Sequence, residues 1–183
     1  RCRWGMHAGA VAVLGLAAVR PGPRLTLRVG APGAEIMKVE PRGEGDPGRH
    51  IGLSDGPSTV FFRNLNRGKK SIVVDLKNPG DRERLLALCE TADVFVESFR
   101  PGTVDRLGVG YDAVKARNPG IVYCSISAFG QDSPLRGRPA HDLALQAESG
   151  LLSVTLGQDG KPAMPGIPVA DVVAGLQGLS GVL

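Results

Sequence analysis

Short apolar runs rich in β-branched residues alternate along this chain with segments of helical periodicity. The runs cover residues 36–39, 71–76, 94–97 and 121–125. Consecutive apolar positions of this kind are typical of strands that are covered on both faces, as in a parallel sheet. The alternation therefore predicts an α/β fold, with a Rossmann-like, mostly parallel sheet and flanking helices.

Four segments between or after these runs are predicted to be helical. Asn78 followed by Pro79 is a helix-start signature, and the pattern continues to about residue 91. The others cover 111–117 and 142–149, and a last one begins near Asp171. The glycine- and arginine-rich segment 41–66 is too long for a simple connection, which predicts a functional or mobile loop.

Residues 8–19 form an apolar run that follows Arg1, Arg3 and His7. The pattern is similar to a signal peptide, and it is too short to span a bilayer as a helix. We favour a buried first strand and turn, because no clean small-residue cleavage site precedes Arg20. The chain begins with Arg and ends in an apolar helical pattern, so we expect both ends to be cut and the chain to be a fragment.

The net charge of +4 fits an anionic ligand, but the basic residues are scattered and lack interleaved aromatics, which argues against nucleic-acid binding. Cys2, Cys89 and Cys124 are odd in number and lack metal spacing, as do the three histidines. We therefore expect reduced thiols in a reducing compartment and no metal site. Residues 43–48 match G-x-G-x-x-G, but Asp46-Pro47-Gly48 is a turn sequence and no amphipathic helix follows it, which argues against a dinucleotide site.

Five segments carry a specific family pattern: 63–83, 92–114, 118–134, 138–155 and 165–176. They include SIVVDLKNPGD, RPGTVDRLG, DLALQAESGL and PVADVVAGL. In this order they resemble the family III CoA-transferases of the CaiB/BaiF type, a group that includes formyl-CoA transferase, carnitine CoA-transferase and the α-methylacyl-CoA racemases. The resemblance implies that residues 34–183 are the N-terminal half of that fold, a large-domain portion truncated at its C-terminus. Residues 1–33 form a divergent segment.

The resemblance implies an enzyme that moves CoA from an acyl-CoA donor to a carboxylic acid. In the family an Asp carboxylate forms first an acyl anhydride and then an aspartyl-CoA thioester, and its position is that of Asp171. A helix start is expected to keep this carboxylate ionised. CoA and acyl-CoA are implied as substrates, with no permanently bound cofactor. A cytoplasmic homodimer is expected for a full-length member, with no nucleic-acid or membrane partner.

His141 and Asp142 occupy a second site position. The racemases of this family have His and Asp there, with the histidine acting at the substrate α-carbon, whereas the residues that follow resemble the transferases. A racemase using His141 and Asp171 is therefore one alternative. Another is a catalytically silent fragment that at most binds CoA or a partner chain, and a basic nucleic-acid module has little support.

The resemblance also implies contacts with CoA. Lys77 corresponds to a contact with the adenine nucleotide, Ser98 and Phe99 to the lining of the pantetheine channel, and Arg106 to a phosphate contact. Arg42 stands beside a position where some members carry a positive charge. Arg and Lys in this role are chemically sensible, since both bind phosphate through charged hydrogen bonds.

The divergent segment departs from the family between Gly22 and Gly33. The family has a helix there, whereas this chain has Arg24 and Arg28 within it and Pro32 at its end. We expect the apolar face of this helix to be lost.

Overall fold

The structure is a computed structural model that describes residues 11–54 and 56–183. The strands of this part form one sheet, and they are β1 (Ala12–Leu16), β2 (Glu35–Glu40), β3 (Lys70–Val73), β4 (Val94–Glu97) and β5 (Val122–Ser125). All neighbouring pairs are parallel, and the order across the sheet is β3-β2-β1-β4-β5. The predicted α/β fold with a parallel sheet is confirmed.

Helices flank the sheet within the same residues. They are α1 (Gly22–Gly30), α2 (Val60–Asn66), α3 (Pro79–Cys89), α4 (Thr103–Arg106), α5 (Tyr111–Arg117), α6 (Asp142–Glu148), α7 (Leu151–Val154) and α8 (Val169–Val182). The predicted start of α3 is confirmed, because Asn78 Oδ1 accepts hydrogen bonds from the backbone N–H groups of Gly80 and Asp81. Segment 41–66 is less irregular than expected, since it contains a 3₁₀ turn at Pro47–His50 and α2.

The predicted first strand is confirmed as β1, which lies at the centre of the sheet between β2 and β4. Residues 8–10 of the predicted run lie outside the described residues. Successive β1 residues point to opposite faces, so Leu14 packs in one core layer with Leu85 of α3, and Val13 packs in the other with Leu25 of α1 and Val182 of α8. Helices cover both faces, which is why β4 is buried along its whole length.

Helix α1 contradicts the expectation that the apolar face between Gly22 and Gly33 is lost. Leu25 and Val29 are four residues apart on one face, and both are fully buried. Arg28 is exposed, and Pro32 follows the helix end, so neither interrupts the buried stripe. A short helix needs only these few apolar positions to pack against the sheet.

Buried charges fasten the segment after β2 to the sheet. Lys38 Nζ lies 2.5 Å from Asp46 Oδ2, and Arg49 binds both oxygens of Glu40 at 2.7 Å. Burial alone would raise the pKa of Glu40, but hydrogen bonds from Arg49, from Ser71 and from the backbone N–H of Asp46 bring that pKa down to about 2. Glu40 therefore stays ionised inside the fold.

The two cysteines of the described part are free thiols in apolar surroundings. Burial raises the pKa of the Cys89 thiol to about 11, and burial also raises the pKa of Cys124. Both side chains therefore stay protonated and act as small apolar groups.

Helix α8 approaches α1 and the sheet through glycines. A Cβ atom at Gly178 would lie 2.5 Å from Leu25 Cδ1 and 3.3 Å from Ile126 Cδ1, and one at Gly175 would lie 3.3 Å from Arg24 Cβ. These two glycines are three residues apart and therefore share one helix face. A larger side chain there would force α8 or the residues packed against it to shift.

We expect Gly178→Ala to destabilise the protein relative to Gly181→Ala. Both substitutions place alanine in α8, but a Cβ at Gly181, in the last turn, meets no described atom within 4 Å. Overpacking against Leu25, which is fully buried, should lower the free energy of unfolding of the Gly178→Ala protein by about 1–3 kcal/mol relative to the control. Urea unfolding measures both, and equal stability of the two variants would contradict the close packing of α8.

Candidate functional site

The order of the strands creates a crevice at the carboxyl ends of β1 and β4. The chain runs outward from β1 through β2 to β3 and then returns to the other side of β1 to form β4. The connections after β1 and β4 therefore leave the sheet in opposite directions. In open α/β sheets, ligands bind in the crevice between two such connections. The candidate site lies at this point.

A cavity of about 720 Å³ opens there, a volume suited to a small-molecule ligand. The segments after β1, β4 and β5 line it together with the first turns of α6 and α8. Five residues predicted from the sequence are among its lining residues: Ser98, Phe99, His141, Asp142 and Asp171. The fold thus brings together the predicted catalytic residues and part of the predicted CoA-binding set.

Asp171 lies in the first turn of α8, as predicted, and its side chain lines the cavity. Its backbone N–H donates to Asp142 Oδ1 at 3.0 Å. Asp142 itself lies in the first turn of α6. Two helix starts are therefore joined by one hydrogen bond, which fixes Asp171 relative to α6.

Gln146, which was not predicted from the sequence as a site residue, completes this contact. Its side chain is 2% exposed, and Nε2 donates to Asp142 Oδ2. Asp142 and Gln146 are one helical turn apart, a spacing that favours such a pair and was the signal available in the sequence. Gln146 Oε1 is buried and has no hydrogen-bond partner among the described residues.

The surroundings of Asp171 change its titration. Burial is the largest cause that raises the pKa of this carboxyl, and the negative charge of Asp142 raises it further. Positive charges on Arg20, His141 and Arg24 act in the opposite direction without cancelling the shift. A helix start was expected to favour the ionised form, but burial and the neighbouring carboxylate have the larger effect on the pKa of Asp171.

His141 precedes α6 as its N-cap residue and is exposed at the cavity. Its ring makes no hydrogen bond to any described residue, and its backbone carbonyl accepts from Leu145 N at 3.1 Å. The imidazole is therefore available to a ligand in the cavity that Asp171 also lines.

Ser98 and Phe99 form the segment that follows β4. Phe99 N donates to Glu97 Oε2 at 2.8 Å, and Glu97 is almost completely buried at the end of the strand. Burial raises the pKa of Glu97, while hydrogen bonds from Ser125 and from Phe99 N oppose that shift. This contact holds the backbone of the cavity wall close to β4.

The other three predicted CoA contacts do not line the cavity. Arg42 follows β2, Lys77 follows β3, and Arg106 lies in α4 after β4; all three are exposed. Parallel strands end at one edge of a sheet, so these residues lie at the same edge as the cavity. Arg106 donates to Thr103 Oγ1 at 3.2 Å.

Two arginines near Asp171 were not predicted as site residues. Arg20 lines the cavity, and Arg24 lies on α1 against α8. Both belong to the segment that diverges from the family pattern, so no motif pointed to them. Their proximity to Asp171 arises only from the packing of α1 against α8.

Across residues 11–54 and 56–183, no group of three or more His, Cys, Asp or Glu side chains is arranged to hold a metal ion. In the same residues, every helix is too short or too polar to cross a membrane.

The sequence matches CoA-transferase family III over residues 9–183. It is 40% identical over 171 residues to acetyl-CoA:oxalate CoA-transferase of Acetobacter aceti, covering 93% of this chain and 44% of that protein. It is 36% identical over 174 residues to human succinyl-CoA:glutarate CoA-transferase, covering 94% of this chain and 40% of that protein. The fold is similar to the crystal structure of a CaiB/BaiF family protein from Brucella suis, with a TM-score of 0.90, 33% identity, and coverage of 96% of this chain and 47% of that one.

The chain therefore belongs to CoA-transferase family III. It spans less than half the length of each of these relatives. The match includes most of the divergent N-terminal segment as well as the region where the resemblance is dense.

We expect Asp142→Asn to lower the pKa of Asp171. The substitution removes the negative charge that disfavours ionised Asp171 but leaves an oxygen to accept from Asp171 N. Gln146 can rotate its amide by half a turn, so that its unpartnered Oε1 accepts from the side-chain NH₂ that the substitution introduces. The carboxyl pKa of Asp171 is measured by carbon-13 NMR titration.

Asp112→Asn provides the matched control, because Asp112 is an exposed first-turn residue of α5. This change should leave the pKa of Asp171 unaltered. An unchanged or higher pKa of Asp171 in Asp142→Asn would contradict the electrostatic coupling of the two carboxyls.

Proposed function

We propose that the protein transfers CoA from an acyl-CoA to a carboxylic acid, with Asp171 as the nucleophile. The observation that carries this proposal is the position of Asp171 on the wall of a ligand-sized cavity at the carboxyl ends of β1 and β4. Membership of the family supports the reaction class. The names of two relatives specify oxalate and glutarate, and both of these are carboxylic acids, as the proposed reaction requires of its acceptor.

The first half of the proposed reaction releases the donor acid. An oxygen of Asp171 attacks the thioester carbonyl carbon, the carbon–sulfur bond breaks, and CoA leaves as the thiolate while a mixed anhydride forms. The thiolate then attacks the Asp171 carbonyl of the anhydride. This step forms an aspartyl-CoA thioester and frees the donor as a carboxylate.

The second half runs the same steps in reverse with another acid. The acceptor carboxylate attacks the aspartyl-CoA thioester, releasing CoA thiolate and forming a new anhydride. The thiolate attacks the acceptor's carbonyl carbon, which gives the new acyl-CoA and restores the Asp171 carboxylate. No net proton, oxidant or reductant is required.

The surroundings of Asp171 suit this role. A carboxylate in water is a weak nucleophile, and partial burial beside Asp142 makes its ionised form less stable and therefore more reactive. The hydrogen bond from Asp171 N to Asp142 holds the backbone of Asp171 in place beside the cavity. Ser98 and Phe99 are proposed to line the pantetheine channel.

The three exposed cations are proposed to bind the nucleotide end of CoA. Arg42, Lys77 and Arg106 lie at the edge of the sheet that also carries the cavity. The pantetheine arm separates the phosphates of CoA from its sulfur, so phosphate contacts are expected outside the cavity rather than within it.

We also propose the organisation of the whole protein from the family. Residues 34–183 would form part of its large domain, residues 1–33 the divergent start, and the full-length protein a cytoplasmic homodimer. Membership of the family supports this proposal.

Trapping with hydroxylamine tests the proposed nucleophile. Incubation with acetyl-CoA and hydroxylamine should convert the activated Asp171 carboxyl into a hydroxamate, because the amine attacks the anhydride or the thioester. Peptide mass spectrometry locates the modified residue. The label should be absent from the Asp171→Asn protein and from samples without acetyl-CoA.

Asp132→Asn is the control for nonspecific labelling, because Asp132 is exposed and does not line the cavity. It should leave the Asp171 label intact. Measurable CoA binding without any label at Asp171 would contradict the transferase and favour the silent, CoA-binding alternative.

The racemase alternative is favoured by one observation, the exposed imidazole of His141 in the cavity that Asp171 lines. An imidazole exchanges protons near neutral pH, as α-carbon chemistry requires. If the transferase proposal is correct, a 2-methylacyl-CoA incubated in deuterium oxide should gain no α-deuterium. Deuterium uptake that His141→Ala abolishes would instead establish the racemase, and mass spectrometry measures it.

A further inference from the structure

The amine of Lys69 has an unusual set of neighbours, away from the cavity that Asp171 lines. Lys69 directly precedes β3 and is not among the residues around that cavity. Its Nζ donates to the carbonyl oxygen of Pro23 in α1 at 2.8 Å and to Asn66 Oδ1 in α2 at 2.9 Å. Both acceptors are uncharged, and Lys69 forms no ion pair with any residue of 11–54 or 56–183.

The number of acceptors around Nζ matches a neutral amine. A neutral lysine amine has two N–H groups and one lone pair, whereas the ammonium form has three N–H donors and no lone pair. Pro23 and Asn66 accept from two N–H groups, which leaves the third position of the nitrogen for the lone pair. An ammonium group withdrawn from water would also need an opposite charge beside it, and the described residues supply none to Lys69. The contacts therefore favour the uncharged form.

The charges near Lys69 act in the same direction. Lys38 of β2 is 3% exposed, and it already holds the carboxylate of Asp46 in an ion pair. Burial is the largest cause that lowers the pKa of Lys69, and the positive charge of Lys38 lowers it further, while Asp46 opposes the shift. The resulting pKa is about 7, so roughly half of the Lys69 side chains are neutral at that pH.

Lys69 is also within reach of a reagent in solution. Its side chain is only partly buried, unlike that of Lys38. A lysine that is desolvated and placed next to another cation is an activated nucleophile, because its lone pair is free at neutral pH. The electrophile that a protein of this family meets as a substrate is the carbonyl carbon of an acyl-CoA thioester.

We propose that Lys69 is an acylation site that reacts directly with acyl-CoA thioesters. The lone pair of Nζ attacks the thioester carbonyl carbon and the carbon–sulfur bond breaks. CoA leaves as the thiolate and takes up the proton that the nitrogen loses, so the products are an amide and the CoA thiol. The amide keeps a single N–H, and one of the contacts with Pro23 and Asn66 is therefore lost.

Labelling of the unaltered protein tests the site. The protein is incubated with deuterium-labelled acetyl-CoA at pH 7.5, and peptide mass spectrometry measures the acetylated fraction of each lysine. Lys115 and Lys161 are the internal controls, because both are exposed. Lys69 should be acetylated roughly tenfold faster or more, since its larger neutral fraction outweighs the lower basicity of its amine.

The dependence of the labelling rates on pH gives a second readout on the same sample. The rate at Lys69 should level off above its pKa of about 7, whereas the rates at Lys115 and Lys161 should rise about tenfold per pH unit up to pH 9. Equal rates at all three lysines, or a rate at Lys69 that rises with pH as the controls do, would overturn the inference.

Asn66→Asp tests whether the contacts of Nζ set its reactivity. This change places a carboxylate where Nζ now meets an uncharged acceptor, which favours the ammonium form, so acetylation of Lys69 at pH 7.5 should slow by roughly tenfold or more. Asn64→Asp is the matched control, because Asn64 is an exposed residue of the same helix. It adds the same charge and should change the rate less than about twofold.

An unchanged rate in Asn66→Asp, or equal slowing in both variants, would overturn the inference. Asn66 Nδ2 also donates to Phe62 O at 3.0 Å, so circular dichroism checks that Asn66→Asp folds. If it does not fold, the pH dependence in the unaltered protein still decides the question.

The Asp171→Asn protein separates this inference from the proposed function, because acyl-CoA enters here only as a reagent. Acetylation of Lys69 should proceed at the unaltered rate in that variant, and its loss would overturn the direct reaction. If Lys69 is labelled and the unaltered protein transfers CoA to no acid, the proposed function fails and the acylation site stands. If CoA transfer occurs and Lys69 is no more reactive than Lys161, the inference fails and the function stands.

Discussion

The close approach of α8 to α1 is the contact on which the site depends. Gly175 and Gly178 let the backbone of α8 lie against Arg24 and Leu25, at distances where a Cβ would crowd both side chains. The first turn of α8 is thereby carried to the end of β1, where Asp171 meets the cavity. Helix packing normally leaves about 8–10 Å between axes according to the side chains at the contact, so glycines here set how far Asp171 stands from the sheet.

The charges around Asp171 oppose one another. Burial and Asp142 raise the pKa of Asp171, which increases the basicity of its carboxylate, while nearby cations keep the ionised form accessible. A carboxylate fully neutralised by an arginine ion pair would be a poor nucleophile, whereas these cations only partly offset the rise in pKa that burial and Asp142 cause. Arg20 and Arg24 lower the pKa of Asp171 without forming an ion pair with it or with any other described residue.

The sequence predicted what local patterns and family motifs encode. The strand at 94–97 and the helix at 111–117 were located correctly, because consecutive apolar residues and clear boundaries marked them. Asp171, His141 and Asp142 were brought together by the fold as the motifs implied. The apolar face of α1 was wrongly expected to be lost, because the sequence there contains arginines and a proline and the buried face consists of very few residues. Arg20 could not be predicted, since only long-range packing places it near Asp171.

The buried charges after β2 explain why residues 43–48 do not form a nucleotide-binding loop. Asp46 is enclosed, and its carboxylate accepts from Gly48 N and Val19 N while pairing with Lys38. Lys38 Nζ also donates to Ala17 O at 2.9 Å. The Lys38–Asp46 ion pair therefore contacts the segment after β1 at two places, Ala17 and Val19. Buried ion pairs add little net stability because desolvation offsets their attraction, but they fix geometry. Their role here is to hold the segment that presents Arg20 to the cavity.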